Sequence, residues 1–420
     1  MCPGRKIFLR PVSPESFDMP YLSLPPSLMT SDPGSFARHT ILERKPQIIR
    51  QVLSDNVYPP AVTAELENLR AEIASQPLRS LVEPASDVPD WNYELARYIG
   101  KTWLEIPWYL AESYFYRRLL EAVGYFLPGP GLGRDPFGKQ KVNQMAGDVQ
   151  RLSSIWEQIA TLETGARLEA LLHSCLWGNR ADLSNFTVKV KARTGLAAIA
   201  ERHLVLIDHT GQIRKLLAGA LSRIDFICDN VGSELLFDLA LADFLLDLRW
   251  TKEIRLHLKN QPFFVSDAMP ADAHRTLALL KAATASGLQA LGARLTEDLS
   301  AGRLAFTTDP FWTSSRMFRD MPDHLRQELA SAGLVLVKGD VNYRRLLDDR
   351  HWPPTTRLEA VCAYFPAPFV ALRTIKGEIV VGLKPGQART LQAEDPTWLI
   401  NGKRGIIQLV IPADSQTAPK

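Results

Sequence analysis

An aspartate and an asparagine stand side by side at the end of an apolar run in Ile224-Asp-Phe-Ile-Cys-Asp-Asn-Val-Gly-Ser-Glu234. The run reads as a buried strand that delivers two oxygen ligands, Asp229 and Asn230, to the carboxyl end of a sheet, followed by a turn at Gly232 and a helix opened by Glu234. Oxygen donors of this kind suit a hard cation such as Mg²⁺ or Mn²⁺, and open α/β sheets bind their ligands at that end. Two more apolar runs close on an acid, Phe263-Phe-Val-Ser-Asp267 and Leu334-Val-Leu-Val-Lys-Gly-Asp340. Any one of these acids alone is an ordinary helix cap. Three strand tips converging on one sheet edge, with Gly232 allowing close backbone approach, point instead to an octahedral cation with positions left open for water and substrate.

Basic and amide groups cluster after two of the strands. In Lys338-Gly-Asp-Val-Asn-Tyr-Arg-Arg345 a glycine turn leads into a helix start, so backbone N–H groups, Asn342 and the Arg344 guanidinium would face an anion. Arg373-Thr-Ile-Lys376 follows another apolar run and puts Lys376 in reach of the same cleft as a phosphate partner. The aromatic stretch Trp103-Leu-Glu-Ile-Pro-Trp-Tyr-Leu-Ala-Glu-Ser-Tyr-Phe-Tyr-Arg-Arg118 is core material, but Glu112 within it needs a partner, either a substrate hydroxyl or Arg117. Trp177-Gly-Asn-Arg-Ala-Asp-Leu-Ser184 reads as a turn built by Asn179 and Asp182, with Asp182 a second acid for the cleft. The eight histidines have no metal-ligand spacing, and no P-loop, G-x-S-x-G or G-x-G-x-x-G element is present.

The elements that must position these residues divide the chain. Residues 1–35 are rich in Pro and Ser and read as an extended arm. Residues 36–195 read as a helical domain, with apolar residues at helical spacing over 64–75, 92–126 and 142–176. Residues 196–412 read as an α/β domain. Its strands are expected at 204–208, 224–228, 254–258, 263–267, 334–338, 369–373 and 406–411, with helices at 212–221, 235–248 and 273–299 between them. Residues 413–420 are left as a tail. Alternating strands and helices imply a mostly parallel sheet covered on both faces, a three-layer α/β/α arrangement.

Composition narrows the class. The chain has 420 residues, 46% hydrophobic and 23% charged, with a net charge of +3 and both signs interspersed. A dedicated nucleic-acid binder would concentrate Lys and Arg on one face. Residues 235–248 are the most apolar segment, yet they carry Asp238, Asp243 and Asp247 and are too short to cross a bilayer. Four scattered cysteines form no C-x-x-C pair, so no zinc or disulfide framework is expected, and the first 29 residues have no apolar core of a secretory signal. A cytoplasmic location follows as the expectation.

Taken in order, Asp229-Asn-Val-Gly-Ser-Glu234, Phe264-Val-Ser-Asp267, Asp309-Pro-Phe-Trp-Thr313, Lys338-Gly-Asp-Val-Asn-Tyr-Arg344 and Arg373-Thr-Ile-Lys376 resemble the damage-control phosphatase family. They are most similar to its sugar-phosphate branch, which carries the Arg-Thr-x-Lys signature and has also been described as an acidic-residue methyltransferase. The resemblance spans residues 40–412 and leaves the Pro-rich arm out. It implies an α/β/α sheet joined to an N-terminal helical region, a divalent metal (Mn²⁺, Mg²⁺, Ni²⁺ or Co²⁺) held by Asp229, Asn230 and Asp267, and house-cleaning hydrolysis of small sugar phosphomonoesters such as fructose 1-phosphate. Asp229, Asn230, Asp267 and Lys376 are then the catalytic set. Glu112, Asp340, Asn342, Arg344 and Lys376 are the substrate-binding set. Lys376 and Arg344 would stabilise charge on the phosphoryl oxygens, Glu112 and Asn342 would read the sugar, and Asp340 would contact sugar hydroxyls or act as an acid/base group. The attacking group is water or a carboxylate, with Asp229 the carboxylate at hand. Two other readings stand beside this one. The first is an S-adenosylmethionine-dependent protein-glutamate methyltransferase, for which no Gly-rich cofactor loop is found. The second is a sugar-phosphate-binding protein without turnover.

Overall fold

The computed structural model describes residues 23–178 and 204–412. The Asn179–Ser184 turn, with Asp182, and the 413–420 tail lie outside the described residues, as does most of the N-terminal arm. One seven-stranded sheet runs through the centre: β1 (Val205–Asp208), β2 (Leu221–Ile227), β3 (Thr251–Leu258), β4 (Leu304–Thr308), β5 (Leu334–Lys338), β6 (Phe369–Thr374) and β7 (Gly405–Val410). Their order is β1-β7-β6-β5-β2-β3-β4. All pairings are parallel except β6 with β7. The mostly parallel α/β architecture expected from the sequence is therefore present.

Strands β5 and β6 are buried at every position, as is β2 from Arg223 to Ile227. Covered on both faces, they are mostly apolar rather than alternating, and the buried exceptions in β2, Arg223 and Asp225, pair with each other. Successive side chains still point to opposite faces, so two cores form. Ile224, Phe226, Leu334, Leu336, Val370 and Leu372 join one core with the Gly138–Ala160, Thr164–Trp177, Ser233–Asp247, Pro270–Lys281 and Ser286–Ser300 helices. Ile227, Val335, Val337, Phe369 and Ala371 join the other, with Phe311, Trp312, Tyr343 and Trp352. A third cluster, Ile41 to Phe137 with Phe263, fills the N-terminal helical region around the Trp108–Val123 helix. Among the described residues no helix is long and apolar enough to cross a membrane.

Three local expectations change. The 263–267 run is a turn rather than a strand. Phe264 has φ +50°, and the Phe263 and Phe264 rings pack on Tyr116 at 6.4 and 4.8 Å, so the apolarity serves the helical region instead of the sheet. The 273–299 segment is two helices broken near residues 282–285. The edge strand β4 was not expected, because its Leu-Ala-Phe-Thr-Thr sequence is half polar and only Leu304 is fully buried.

Residues 23–44 tie distant parts together. Leu28 donates its N–H to the Asp349 carbonyl and accepts from Trp108 N, both within 2.9 Å. Ser27 bridges Arg350 and Met29 bridges Pro107, and Phe36 N donates to Glu378 Oε1 at 3.1 Å. The segment then forms one π-helical turn, Thr40–Arg44, that continues into the Lys45–Asp55 helix.

Candidate active site

The carboxyl ends of β6, β5 and β2 are neighbours in the sheet. Each hands the chain to a polar segment: Ile375-Lys376 after β6, Gly339-Asp340 after β5 and Cys228-Asp229-Asn230 after β2. They meet at a cleft of about 280 Å³, a small-molecule scale. Its walls include Asp229, Asn230, Glu234, Asp267, Asp340 and Lys376 on the sheet side and Phe36, Arg44, Trp108, Glu112 and Tyr116 on the helical side. The structure thus brings together six residues singled out from the sequence. Asp267 arrives from the turn after β3 rather than from a strand tip, through an isolated bridge between Asn230 and Asp267 and a hydrogen bond from Ala268 N to the Asp229 carbonyl at 2.8 Å.

At the acidic end, Asn230 Nδ2 donates to Asp229 Oδ2 at 2.7 Å and to Glu234 Oε2 at 3.1 Å, while its Oδ1 accepts from Ser266 Oγ at 2.5 Å. Two buried lysines stand behind. Lys338 pairs with Glu234 at 3.1 Å and Asp238 at 3.0 Å and donates to the Cys175 carbonyl. Lys259 pairs with Asp267 at 3.2 Å and donates to the Cys228 carbonyl. Four carboxylates (Asp229, Glu234, Asp238, Asp267) therefore face two ammonium groups (Lys259, Lys338), a surplus of two negative charges when all are ionised. The titrations reflect that surplus. Burial, then the charges of Asp267 and Glu234, raise the Asp229 carboxyl well above the usual range. Burial also lifts Asp267 and Asp238 to about 6 against the pull of their lysines. A low-dielectric pocket holding unbalanced like charges is costly unless a cation compensates it.

No three His, Cys, Asp or Glu side chains among the described residues converge closely enough to hold a cation by themselves. Asp229 and Asp267 supply two carboxylates, and the third donor would be the Asn230 amide. A half-turn of that amide exchanges its nitrogen and oxygen, with the Ser266 hydroxyl then accepting instead of donating. The donor set and its charge surplus fit a divalent cation. Gly339, at φ +83°, lies directly against Asp229, and a Cβ there would fall inside the Asp229 carboxylate. Gly232, at φ +75°, plays the matching part on the other side, where a Cβ would collide with Asp148 and Gln144. Asp148 Oδ2 caps the Ser233–Asp247 helix by accepting from Ser233 N at 2.6 Å.

The basic side is built differently. Asp340 Oδ1 accepts from Arg373 Nε at 2.7 Å and from Lys376 N at 3.2 Å. Burial pushes its carboxyl up, but Arg373 and Arg344 outweigh that and hold it below the usual value. Among the described residues the Lys376 ammonium pairs with no carboxylate, and it lines the cleft. Arg344 does not reach the cleft wall. Its guanidinium stacks 3.4 Å from the Trp108 ring centre and donates through Nε to Asp349 at 2.6 Å, while both terminal nitrogens are buried without hydrogen-bond partners among the described residues. Asn342 also stays behind the cleft, giving its Nδ2 to the Lys338 and Cys228 carbonyls at 2.9 and 3.3 Å. It ties the end of β2 to the helix after β5.

Glu112 lines the cleft and does not pair with Arg117, which binds Glu83 and Asp87. Its partner is Lys45, fully buried and 67 residues away in sequence. Tyr116 stays a neutral donor, because burial raises its hydroxyl well above the ordinary value. Residues the sequence reading passed over are Lys45, Lys259, Asp238 and Arg44, and Lys338 and Arg373 had no role beyond their motifs. A lysine closing an otherwise apolar strand, with Glu234 and Asp238 spaced by four on a largely apolar helix, was the available signal for the Lys338 network.

Residues 40–391 match the family described as the damage-control phosphatase ARMT1-like domain. Among curated proteins, "Damage-control phosphatase ARMT1" of Danio rerio is 31% identical over 446 residues, covering 94% of this chain and 99% of that one. The protein of the same name from Homo sapiens is 32% identical, covering 92% and 98%. The one from Mus musculus is 32% identical, covering 91% and 98%. A crystal structure of a DUF89 family protein from Pyrococcus horikoshii is similar with a TM-score of 0.49 and 14% identity, over 89% of this chain and 96% of that one. With most of its length matched by the family and by full-length relatives, the chain belongs to the damage-control phosphatase ARMT1-like domain family.

Proposed function

We propose that the chain is a metal-dependent phosphatase that hydrolyses small sugar phosphomonoesters in a metabolite damage-control role. The supporting observation is the pairing, in one cleft, of a carboxylate centre with two surplus negative charges and a separate lysine, Lys376, that no carboxylate among the described residues neutralises. Asp229, Asp267 and the Asn230 amide would hold the cation, and Mn²⁺, Mg²⁺, Ni²⁺ and Co²⁺ all suit such a donor set. A bound divalent cation supplies positive charge to a phosphoryl oxygen and a more acidic water. Lys376 meets the remaining phosphoryl charge from the other side. Asp340, held ionised by Arg373, accepts hydrogen bonds from sugar hydroxyls and has no proton to give as an acid. Glu112 adds a second acceptor, Tyr116 a donor, and Trp108 an apolar face for the sugar. Arg344 steadies Trp108 by stacking on its ring. The described cysteines Cys175, Cys228 and Cys362 are free and buried, in keeping with a reducing, cytoplasmic setting.

The test is phosphate release from a panel of sugar phosphates and p-nitrophenyl phosphate in EDTA and in each of the four metals. Release that EDTA abolishes and a metal restores is the expected result. Folded protein that releases none with any metal, and that instead shows heat of S-adenosylmethionine binding, would overturn it in favour of the methyltransferase. Sugar-phosphate binding without release would leave a binding protein.

A further inference from the structure

Lys45 has no part in the chemistry above, yet its partner Glu112 lines the cleft. Lys45 is completely buried and Glu112 is 4% exposed. The Lys45 ammonium lies over the Phe115 and Tyr116 rings, 4.9 and 4.6 Å from their centres, and binds Glu112 Oε2. Burial draws the Lys45 ammonium down to about 8, with Glu112 opposing the shift, so the ammonium stays charged at neutral pH. Lys45 is held in place by the π-helical turn Thr40–Arg44, whose Thr40 carbonyl accepts the Lys45 N–H. The Thr40 hydroxyl in turn accepts from Trp108 Nε1 at 2.8 Å. Single π turns inside helices are frequent at functional sites. Lys45 is the only hydrogen-bond partner of Glu112 among the described residues, which leaves Oε1 for whatever the cleft holds.

A buried carboxylate selects its ligand by charge. Uncompensated, it draws a cation. Already neutralised by a fixed ammonium, it has lone pairs to offer but no charge left to satisfy, and it favours neutral donors. We propose that Lys45 is a positioning residue that makes Glu112 selective for neutral hydroxyl donors, so that the cleft takes polyhydroxylated phosphate esters and rejects amino-sugar phosphates. This rests on the sugar-phosphate reading above and deepens it.

The experiment measures binding of a hexose phosphate and of the matching amino-hexose phosphate by calorimetry, without need for turnover. Four proteins are compared at pH 7: wild type, Lys45→Met, Glu112→Gln and the double variant. Hydrogen bonds to charged groups correspond to roughly tenfold or more in affinity. Wild type is expected to prefer the neutral sugar. Lys45→Met is expected to shift the ratio about tenfold or more toward the amino sugar, and the same substitution is expected to leave the ratio unmoved in the Glu112→Gln background. A ratio that Lys45→Met shifts equally in both backgrounds, or does not shift at all, overturns the proposal. Should Lys45→Met fold poorly, Glu112→Gln decides alone: a wild-type preference that survives it removes Glu112 as the selector. Binding with the expected ratios but no phosphate release would refute the phosphatase reading and leave this inference standing. Failure of wild type to bind either sugar phosphate would refute both.

Discussion

Replacing Asp229 by Asn removes one charge from the acidic centre with little change in shape. Asp229 and Glu234 accept from the same Asn230 nitrogen at 2.7 and 3.1 Å, which keeps those oxygens within about 6 Å of each other. Two unit charges at that separation repel by about 3 kcal/mol at the effective dielectric of ~20 suited to buried sites. Among the described residues Asp229 also has no direct lysine partner, since Lys259 pairs with Asp267 and Lys338 with Glu234 and Asp238, so Asp229→Asn strands none of these buried cations. Metal-free protein should therefore gain stability, by up to about 3 kcal/mol at pH 8. An unfolding entropy of about 2.1 cal/mol/K per residue converts that to roughly 3 °C in Tm for a chain of this size. Wild type should gain a comparable amount, about 2.7 kcal/mol, from Mn²⁺ at a hundred times its Kd, and the variant should gain almost none. Thermal unfolding in EDTA and in Mn²⁺, with phosphate release measured on the same samples, gives all three readings. A variant less stable than wild type in EDTA, or one that keeps the Mn²⁺ shift, would refute the argument that surplus charge at Asp229 is what the cation answers.

Other outcomes follow from the same centre. Gly339→Ala should cost roughly 1–3 kcal/mol from its positive φ and, by displacing the Asp229 carboxylate, weaken Mn²⁺ binding by about ten- to a hundredfold; calorimetry with unchanged affinity would discount the close approach. Lys338→Met leaves Glu234 and Asp238 buried and unpaired, so the urea midpoint should fall by the equivalent of about 3–5 kcal/mol, and a loss under about 1 kcal/mol would contradict it. Asp267 titrates at about 6 and Asp229 well above the usual carboxylate range in the metal-free fold, both above their unfolded values. The metal-free protein therefore holds extra protons, and its stability falls as pH rises from about 4 through those folded values. Metal affinity must climb over the same window, because the cation displaces those protons, and Mn²⁺ titrations that are flat between pH 5 and 7 would count against these ligands.

The strand tips were readable because buried parallel strands are mostly apolar, so polar residues clustered at the end of one stand out. That logic located Asp229 and Asp340 and put Lys376 at the end of β6. It misread Asp267, since the two phenylalanines ahead of it are apolar for the sake of Tyr116 and not for a sheet. It missed β4, whose edge position leaves it half polar. Side-chain partnerships were the least visible layer. Glu112 was recognised as needing a partner, but Lys45 lies 67 residues upstream, and only the folded helical region brings the two together. Arg344 was expected in the cleft, whereas the turn at Asp348 and Asp349, both at positive φ, draws its guanidinium back against Trp108.

The path of residues 23–44 has a consequence for how the protein is made. These residues leave the ribosome early, yet they dock on Asp349, Arg350 and Glu378, which emerge more than 300 residues later. At synthesis rates of about 5–20 residues per second, the segment waits from roughly a quarter of a minute to more than a minute for its seat. During that interval Phe36 and Arg44 have no cleft to line, and Lys45 can meet Glu112 before any sheet exists. The helical side of the pocket is thus available early, while its seal against the sheet is among the last contacts a nascent chain can make.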